Sequence, residues 1–314
     1  MSGPELLIID PAPEPFRDMV LAAYPQLKAH TARNAAEALP HAGKVEIVAT
    51  LAHLLNEEIA AAFTQVKWVQ AFSTGTDGVT RLKSMPRDIL LTSCRGAHGP
   101  QMSEMAFAHM LVLARQLDKV VHNKDRKAWD RWTQPLLFAK TVVIVGTGVI
   151  SNDLALRCKA FGMHVIGVTA TPRPIEHFDE VVGREDLAKV LTRADFTIIL
   201  LPYDAYSKDL FDAQMLAQIK PDGFLINLGR GGIIDEPALL TALESGQLAG
   251  AGLDVFAKEP LPKDDPMWGA PNTFITPHLG GLADIYHQQI GPIFMRNLKA
   301  YMEGRPDEMQ NRIW

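Results

Sequence analysis

The 314-residue chain has only two cysteines, Cys94 and Cys158, and only 7% aromatic residues. Two thiols cannot staple a chain of this size, so a disulfide scaffold is excluded and buried free thiols are expected. There is no excess of basic charge. The 31 Lys+Arg stand against 36 Asp+Glu, and a net charge of -5 gives no support for nucleic-acid binding. No uncharged apolar run approaches the roughly 20 residues that cross a bilayer. The opening MSGPELLIID has neither the basic segment nor the apolar run of a secretion signal. Ten histidines are present, yet no H-E-x-x-H helix or compact His/Cys cluster is found, which leaves a metal-dependent hydrolase without a ligand set. The remaining expectation is a cytoplasmic protein with no membrane, nucleic-acid or metal partner.

What is present is an ordinary globular composition, 47% apolar and 21% charged. At roughly 150 residues per domain, the length predicts two domains. Short apolar runs at 6–9, 45–49, 68–72 and 89–92 do not alternate with polar residues, which predicts buried parallel strands. Stretches at 15–23, 34–39 and 57–63 supply crossover helices, giving a small α/β layer structure. Met105, Ala108, Met110, Leu113, Leu117 and Val121 predict one connecting helix over 102–121. Glu104 in its first turn and Lys119 in its last suit the helix dipole. The stretch 122–140, with Trp129, Trp132 and Pro135 among charges, reads as an irregular excursion carrying interface anchors.

A second series begins at Thr141. Strands are predicted at 141–145, 164–168, 196–200, 225–228, 250–255 and 273–276, with helices at 209–219 and 236–244. Asp235 caps the second helix, Pro237 is tolerated in its first turn, and Gly246 ends it.

The sharpest local signal is VVIVGTGVIS, residues 142–151. A buried strand feeds a glycine turn that opens a helix, the context a dinucleotide fingerprint requires. Gly146 permits the tight turn, and Gly148 lets backbone approach a pyrophosphate at the helix start. Ser151 stands at the third glycine position, small enough for close packing. No carboxylate follows the next strand: Val168 leads to Thr169, Ala170, Thr171 and then Arg173. An aspartate there would bind a ribose 2′-hydroxyl, whereas Thr169 and Arg173 suit a 2′-phosphate, which favours NADP(H) and leaves NAD(H) as the alternative.

Arg230, Glu259 and His278 each follow a predicted strand of this second series. Taken singly, an arginine is commonly a surface charge, a glutamate a solvated one, and a histidine after Pro277 a loop residue. Ligands of doubly wound sheets bind beyond the carboxyl ends of the strands, so the three could converge there. A guanidinium grips a planar carboxylate, and an imidazole charged by a carboxylate exchanges a proton near neutral pH.

At this point the chain resembles the D-isomer-specific 2-hydroxyacid dehydrogenases, in particular their glyoxylate/hydroxypyruvate reductase-like members. The motifs are Gly146-x-Gly148-x-Ile150, Phe161-Gly162-Met163, Ala194-Asp195, Leu201-Pro202, Lys220-Pro221 and Asn227-x-x-Arg230-Gly231. Leu253-Asp254-Val255-Phe256, Glu259-Pro260-Leu261 and Thr276-Pro277-His278-x-Gly280 complete the order. The resemblance implies two doubly wound parallel-sheet α/β domains, the second a Rossmann-type dinucleotide-binding domain inserted into the first. Residues 1–101 and 282–314 would form a discontinuous substrate-binding domain, and 102–281 the nucleotide domain with a linking helix and a dimerisation segment.

The resemblance further implies that Arg230 holds the substrate carboxylate and carbonyl, His278 transfers the proton, and Glu259 orients and charges His278. The backbone amides of Thr74 and Gly75 would bind the carboxylate. Gly146, Thr147, Gly148, Val149, Ile150, Leu201, Pro202, Leu228, Asp254 and Gly280 would join Thr169 and Arg173 around the nucleotide. Arg95 and His98, in CRGAHG, are candidates to line the acid site. The implied activity interconverts a small 2-oxo acid and its D-2-hydroxy acid in a homodimer. A dinucleotide-sensing interaction protein on the same scaffold stays open beside it.

Overall fold

Twelve parallel-paired strands organise the computed structural model, which describes residues 3–314. Met1 and Ser2, the start of the expected first domain, lie outside the described residues. Strands β1 (Glu5–Ile9), β2 (Lys28–Ala32), β3 (Ile47–Thr50), β4 (Trp68–Ala71) and β5 (Leu90–Thr92) form a five-stranded sheet of order β2-β1-β3-β4-β5. The others are β6 (Thr141–Val145), β7 (His164–Thr169), β8 (Glu180–Gly183), β9 (Phe196–Ile199), β10 (Phe224–Asn227), β11 (Gly250–Leu253) and β12 (Thr273–Ile275). They form a seven-stranded sheet of order β12-β11-β10-β9-β6-β7-β8. The fold is α/β with two doubly wound parallel sheets, as the sequence predicts.

Successive side chains of a strand point to opposite faces, and here both faces are buried. Leu6, Ile8, Ile47 and Trp68 enter one core of the first sheet, while Leu7, Ile9, Val48 and Val69 enter the other. Val142 and Ile144 likewise face one core of the second sheet, with Val143 and Val145 facing the other. Double burial is why these strands read as unbroken apolar runs. Strands β2 and β8 lack that signature and are missed by periodicity. Both are sheet edges, where polar residues are tolerated, and Lys28 of β2 pairs with Glu5 at 2.8 Å.

The chain divides into two compact units, Met1–His98 with Ala283–Trp314, and Gly99–Leu282. In the first, the helix Tyr286–Met302 sends Ile290, Phe294 and Leu298 into the core shared with Leu6, Ile8 and Trp68. In the second, the connecting segment is two helices rather than one. Gly99–Arg115 stops where Gln116 turns left-handed (φ 51°, ψ 51°), and Leu117–Arg126 starts anew. The break turns Leu117 and Val121 out to solvent and carries helix into the stretch expected to be irregular. The helix expected over 209–219 contracts to Ala213–Leu216, because Asp209 is itself left-handed (φ 50°) and Asp212 caps at Met215 N. The helix Glu236–Glu244 forms with the expected cap, Asp235 accepting from Ala238 N at 3.1 Å.

Candidate active site

Register brings the second unit's loops to one edge. Val145 stands opposite Val168 and Ile199, Asn227 opposite Ile199 and Leu253, and Leu253 opposite Ile275. The segments that follow these residues leave the sheet side by side. Strand order reverses between β6 and β9, the kind of point at which doubly wound sheets take ligands.

The glycine turn sits at that reversal. Gly146 adopts φ 102°, and a Cβ there would stand 2.8 Å from the Leu200 carbonyl oxygen, so the position demands glycine. Gly148 precedes the helix Val149–Ala160, whose first amides receive no side-chain cap. A Cβ at Gly148 would meet nothing within 4 Å, so open space lies before those amides. Uncapped amides, a helix dipole and room for close approach fit a pyrophosphate. Ser151 is buried within the packing of that helix. Leu201, Pro202 and Leu228 follow β9 and β10 on the same edge. Thr169 closes β7, and Arg173 is exposed on a depression of about 380 Å³ that Phe178 and Val181 also line.

Arg230, Glu259 and His278 follow the neighbouring strands β10, β11 and β12. Asn227 shapes the turn that presents Arg230: its Oδ1 accepts from Gly229 N at 3.0 Å, and its Nδ2 donates to Arg230 O at 2.9 Å. The next residue allows no side chain, since a Cβ on Gly231 would lie 1.8 Å from the Phe256 carbonyl carbon. The loops after β10 and β11 therefore touch at the backbone. In the second of them, Glu259 Oε1 accepts from Phe256 N at 3.0 Å, and its Oε2 meets His278 Nδ1 at 2.7 Å. Burial pushes the Glu259 carboxyl up, but His278, the Phe256 N–H and the Arg230 charge together hold it below the usual range. The Glu259 hydrogen bond raises His278 above its ordinary value, against desolvation and the Arg230 charge, which both oppose it. Three residues predicted from separate motifs thus share one electrostatic site.

Asp254 lies beneath this site. It is buried, with Oδ1 accepting from Leu279 N at 2.8 Å and Oδ2 from Gly280 N at 2.9 Å. Its carboxylate is spent on the loop that carries His278, which makes its structural place that of a support. In the first unit, Thr74 and Gly75 follow β4, where Ser73 Oγ donates to Gly75 O at 2.6 Å. Thr74 Oγ1 lies 2.9 Å from Nδ1 of His98, a pairing that the sequence does not predict. Arg95 is exposed, its backbone carbonyl held by Asn311 Nδ2 at 2.8 Å. Cys94 and Cys158 are buried free thiols, each pushed up to about 12 by desolvation.

A family model described as D-isomer specific 2-hydroxyacid dehydrogenase, NAD binding domain, matches residues 107–280, more than half of the chain. The chain belongs to the D-isomer specific 2-hydroxyacid dehydrogenase family. This dehydrogenase is similar to a glyoxylate reductase of Korarchaeum cryptofilum, 28% identical over 275 residues that cover 85% of this chain and 82% of that protein. Among solved structures, a D-isomer specific 2-hydroxyacid dehydrogenase family protein from Aeromonas salmonicida superposes with a TM-score of 0.91. It is 34% identical, with 99% of both chains covered. An NADPH-dependent glyoxylate/hydroxypyruvate reductase from Sinorhizobium meliloti, solved with NADP and sulfate, gives 0.84 at 25% identity over 99% of this chain and 98% of that one. The dehydrogenase is accordingly an NAD(P)-dependent oxidoreductase. No helix among its described residues is long and apolar enough to cross a membrane.

Proposed function

We propose that this dehydrogenase is a cytoplasmic homodimer that reduces a small 2-oxo acid, such as glyoxylate or hydroxypyruvate, to the D-2-hydroxy acid with NADPH. The observation that carries the reading is the 2.7 Å contact of His278 Nδ1 with Glu259, under the charge of Arg230, on the sheet edge that bears the Gly146 turn. The reduced nicotinamide supplies hydride to the substrate C2 when bound. Arg230 offsets the negative charge that develops on the carbonyl oxygen. With Nδ1 committed to Glu259, His278 gives its Nε2 proton to that oxygen. Glu259 keeps the imidazolium available. In oxidation the neutral ring takes the proton back.

The preference for NADPH rests on the end of β7, where Thr169 and Arg173 stand and no carboxylate follows Val168 directly. Small substrates are favoured by the kinship with glyoxylate reductases and by the absence of an evident second phosphate-binding motif. An absorbance assay of nicotinamide oxidation over a panel of 2-oxo acids tests both points. Higher kcat/KM with NADPH than with NADH is expected, with glyoxylate or hydroxypyruvate among the best substrates. A preference for NADH removes the cofactor reading, and a preference for bulky aromatic acids removes the substrate reading.

Dimerisation is supported by apolar side chains left in solvent on one stretch: Val121 is 60% exposed, Trp129 86% and Phe138 68%. So much exposed apolar surface marks an interaction site. Light scattering is expected to give twice the chain mass. A monomeric mass that persists at high concentration rules the dimer out.

A further inference from the structure

We propose that His109 is a positioning residue for the reaction, acting through a buried file, His109–Thr276–Asp254, that holds the loop carrying His278. This rests on the reading of His278 as the proton donor. All four residues belong to the same compact unit, Gly99–Leu282.

Hydrogen-bond direction can be followed through the file. A carboxylate only accepts, and Asp254 receives the N–H groups of Leu279 and Gly280, the two residues after His278. Its Oδ1 also lies 2.5 Å from the Thr276 hydroxyl, which therefore donates its single proton there. The Thr276 oxygen is left to accept, and His109 Nε2 stands 3.0 Å away. The ring must carry its proton on Nε2. The other nitrogen, Nδ1, is buried without a hydrogen-bond partner among the described residues. Burial pushes His109 down to about 4, so the ring stays neutral across the neutral range.

The surroundings are shaped to this ring. His109 lies on the buried face of the helix Gly99–Arg115, edge-on to Phe274 at 5.0 Å between centroids. A Cβ on Gly252 of β11 would fall 2.4 Å from His109 Nδ1, so that strand gives up a side chain where the ring rests. An orphaned buried nitrogen costs free energy that a leucine at this position would avoid. The return is the donor that saturates Thr276 and aims its proton at Asp254.

The loop needs such a hold. His278 itself sits at φ 54°, a left-handed conformation unusual for a side-chain-bearing residue, with its N–H shared between the carbonyls of Asp254 and Thr276. Asp254 thus grips His278 from both sides in sequence, and its own carboxylate is oriented by Thr276. His109 is the deepest member, and it touches no reacting atom.

The test compares Thr276→Val and His109→Phe, which remove the hydroxyl and the ring donor, with Thr276→Ser and His109→Gln, which keep a hydroxyl and an N–H donor. Loss of the file is expected to lower kcat for 2-oxo acid reduction by roughly ten- to a hundredfold, as small misplacements of reacting groups do. The alkaline limb of the kcat profile should move to lower pH as the His278–Glu259 contact loosens, with Arg230 and Asp254 still facing the ring. NADPH affinity, read by fluorescence titration, should change far less than kcat, and the conservative variants should recover most of the loss. Variants that melt earlier but keep the parent kcat and alkaline limb would show that His109 is packing alone. If the first two variants do not fold, long-range nitrogen–proton NMR of the parent protein still decides. A neutral Nε2–H ring at His109 throughout the neutral range is expected, and an Nδ1–H or doubly protonated ring overturns the file. His278→Asn separates the two readings. Retained turnover there removes His278 as donor, whereas its loss beside intact Thr276→Val and His109→Phe activity removes only the file.

Discussion

His278→Asn is expected to lower turnover of 2-oxo acid reduction by roughly two to four orders of magnitude, the usual worth of a positioned general acid, with NADPH affinity retained. The asparagine keeps a polar group near Glu259 but has no proton to give. The pH profile adds a signature. His278 is raised from 6.5 by Glu259, so the imidazolium predominates below 6.5 and persists until the pH passes its elevated value. Reduction by the parent should fall as pH rises through that raised value. Oxidation, which needs the neutral ring, should rise over the same interval. The stability that the pair lends follows the same signs. The His278 part is lost as pH rises through its raised value, and the Glu259 part is lost as pH falls from 4.5 through its lowered one. In His278→Asn the alkaline limb of any residual activity should vanish. A variant within tenfold of the parent, with that limb intact, would remove His278 from the chemistry.

Arg230→Gln is expected to raise KM for the 2-oxo acid and to lower kcat by about 10²- to 10³-fold, the cost of losing a charge-stabilising donor at a developing oxyanion. The replacement should sit on an unchanged turn, since Asn227 holds Gly229 N and Arg230 O by backbone groups that the substitution leaves alone. One consequence runs opposite to the loss of rate. The Arg230 charge pushes His278 down, so its removal should let the imidazole rise further. The slow residual reaction should therefore hold its rate to higher pH than the parent does. Unaltered KM and kcat, or a limb displaced to lower pH, would show that Arg230 does not face the reacting groups.

Much of this architecture was legible because the signals were of the strongest kinds. Strands buried on both faces announce themselves as apolar runs, and Gly146 before a helix leaves few alternatives. Arg230, Glu259 and His278 were legible as members of ordered motifs, since none of them is distinctive alone. Features that depend on a single dihedral or a sheet edge were not. Nothing in LARQLDKV marks Gln116 as left-handed, and the polar strands β2 and β8 are readable only once their edge position is known. His109 was hidden for another reason. A histidine among Ala106, Met110 and Leu113 looks like core, and its partner Thr276 lies 167 residues away. The one available cue was its polarity within an otherwise apolar stripe.

If Thr169 and Arg173 choose the dinucleotide and His278 moves the proton, as proposed, the strand order of the second sheet separates the two tasks in space. Thr169 ends β7, on one side of β6, whereas Arg230, Glu259 and His278 follow β10, β11 and β12, on the other. Peptide hydrogen bonds between the intervening strands set the spacing between the two groups. On the proposed roles, changes at the β7 end retune which dinucleotide is preferred without touching Glu259 and His278. A lineage carrying this sheet is free to change its source of reducing power while its proton chemistry stays as it was.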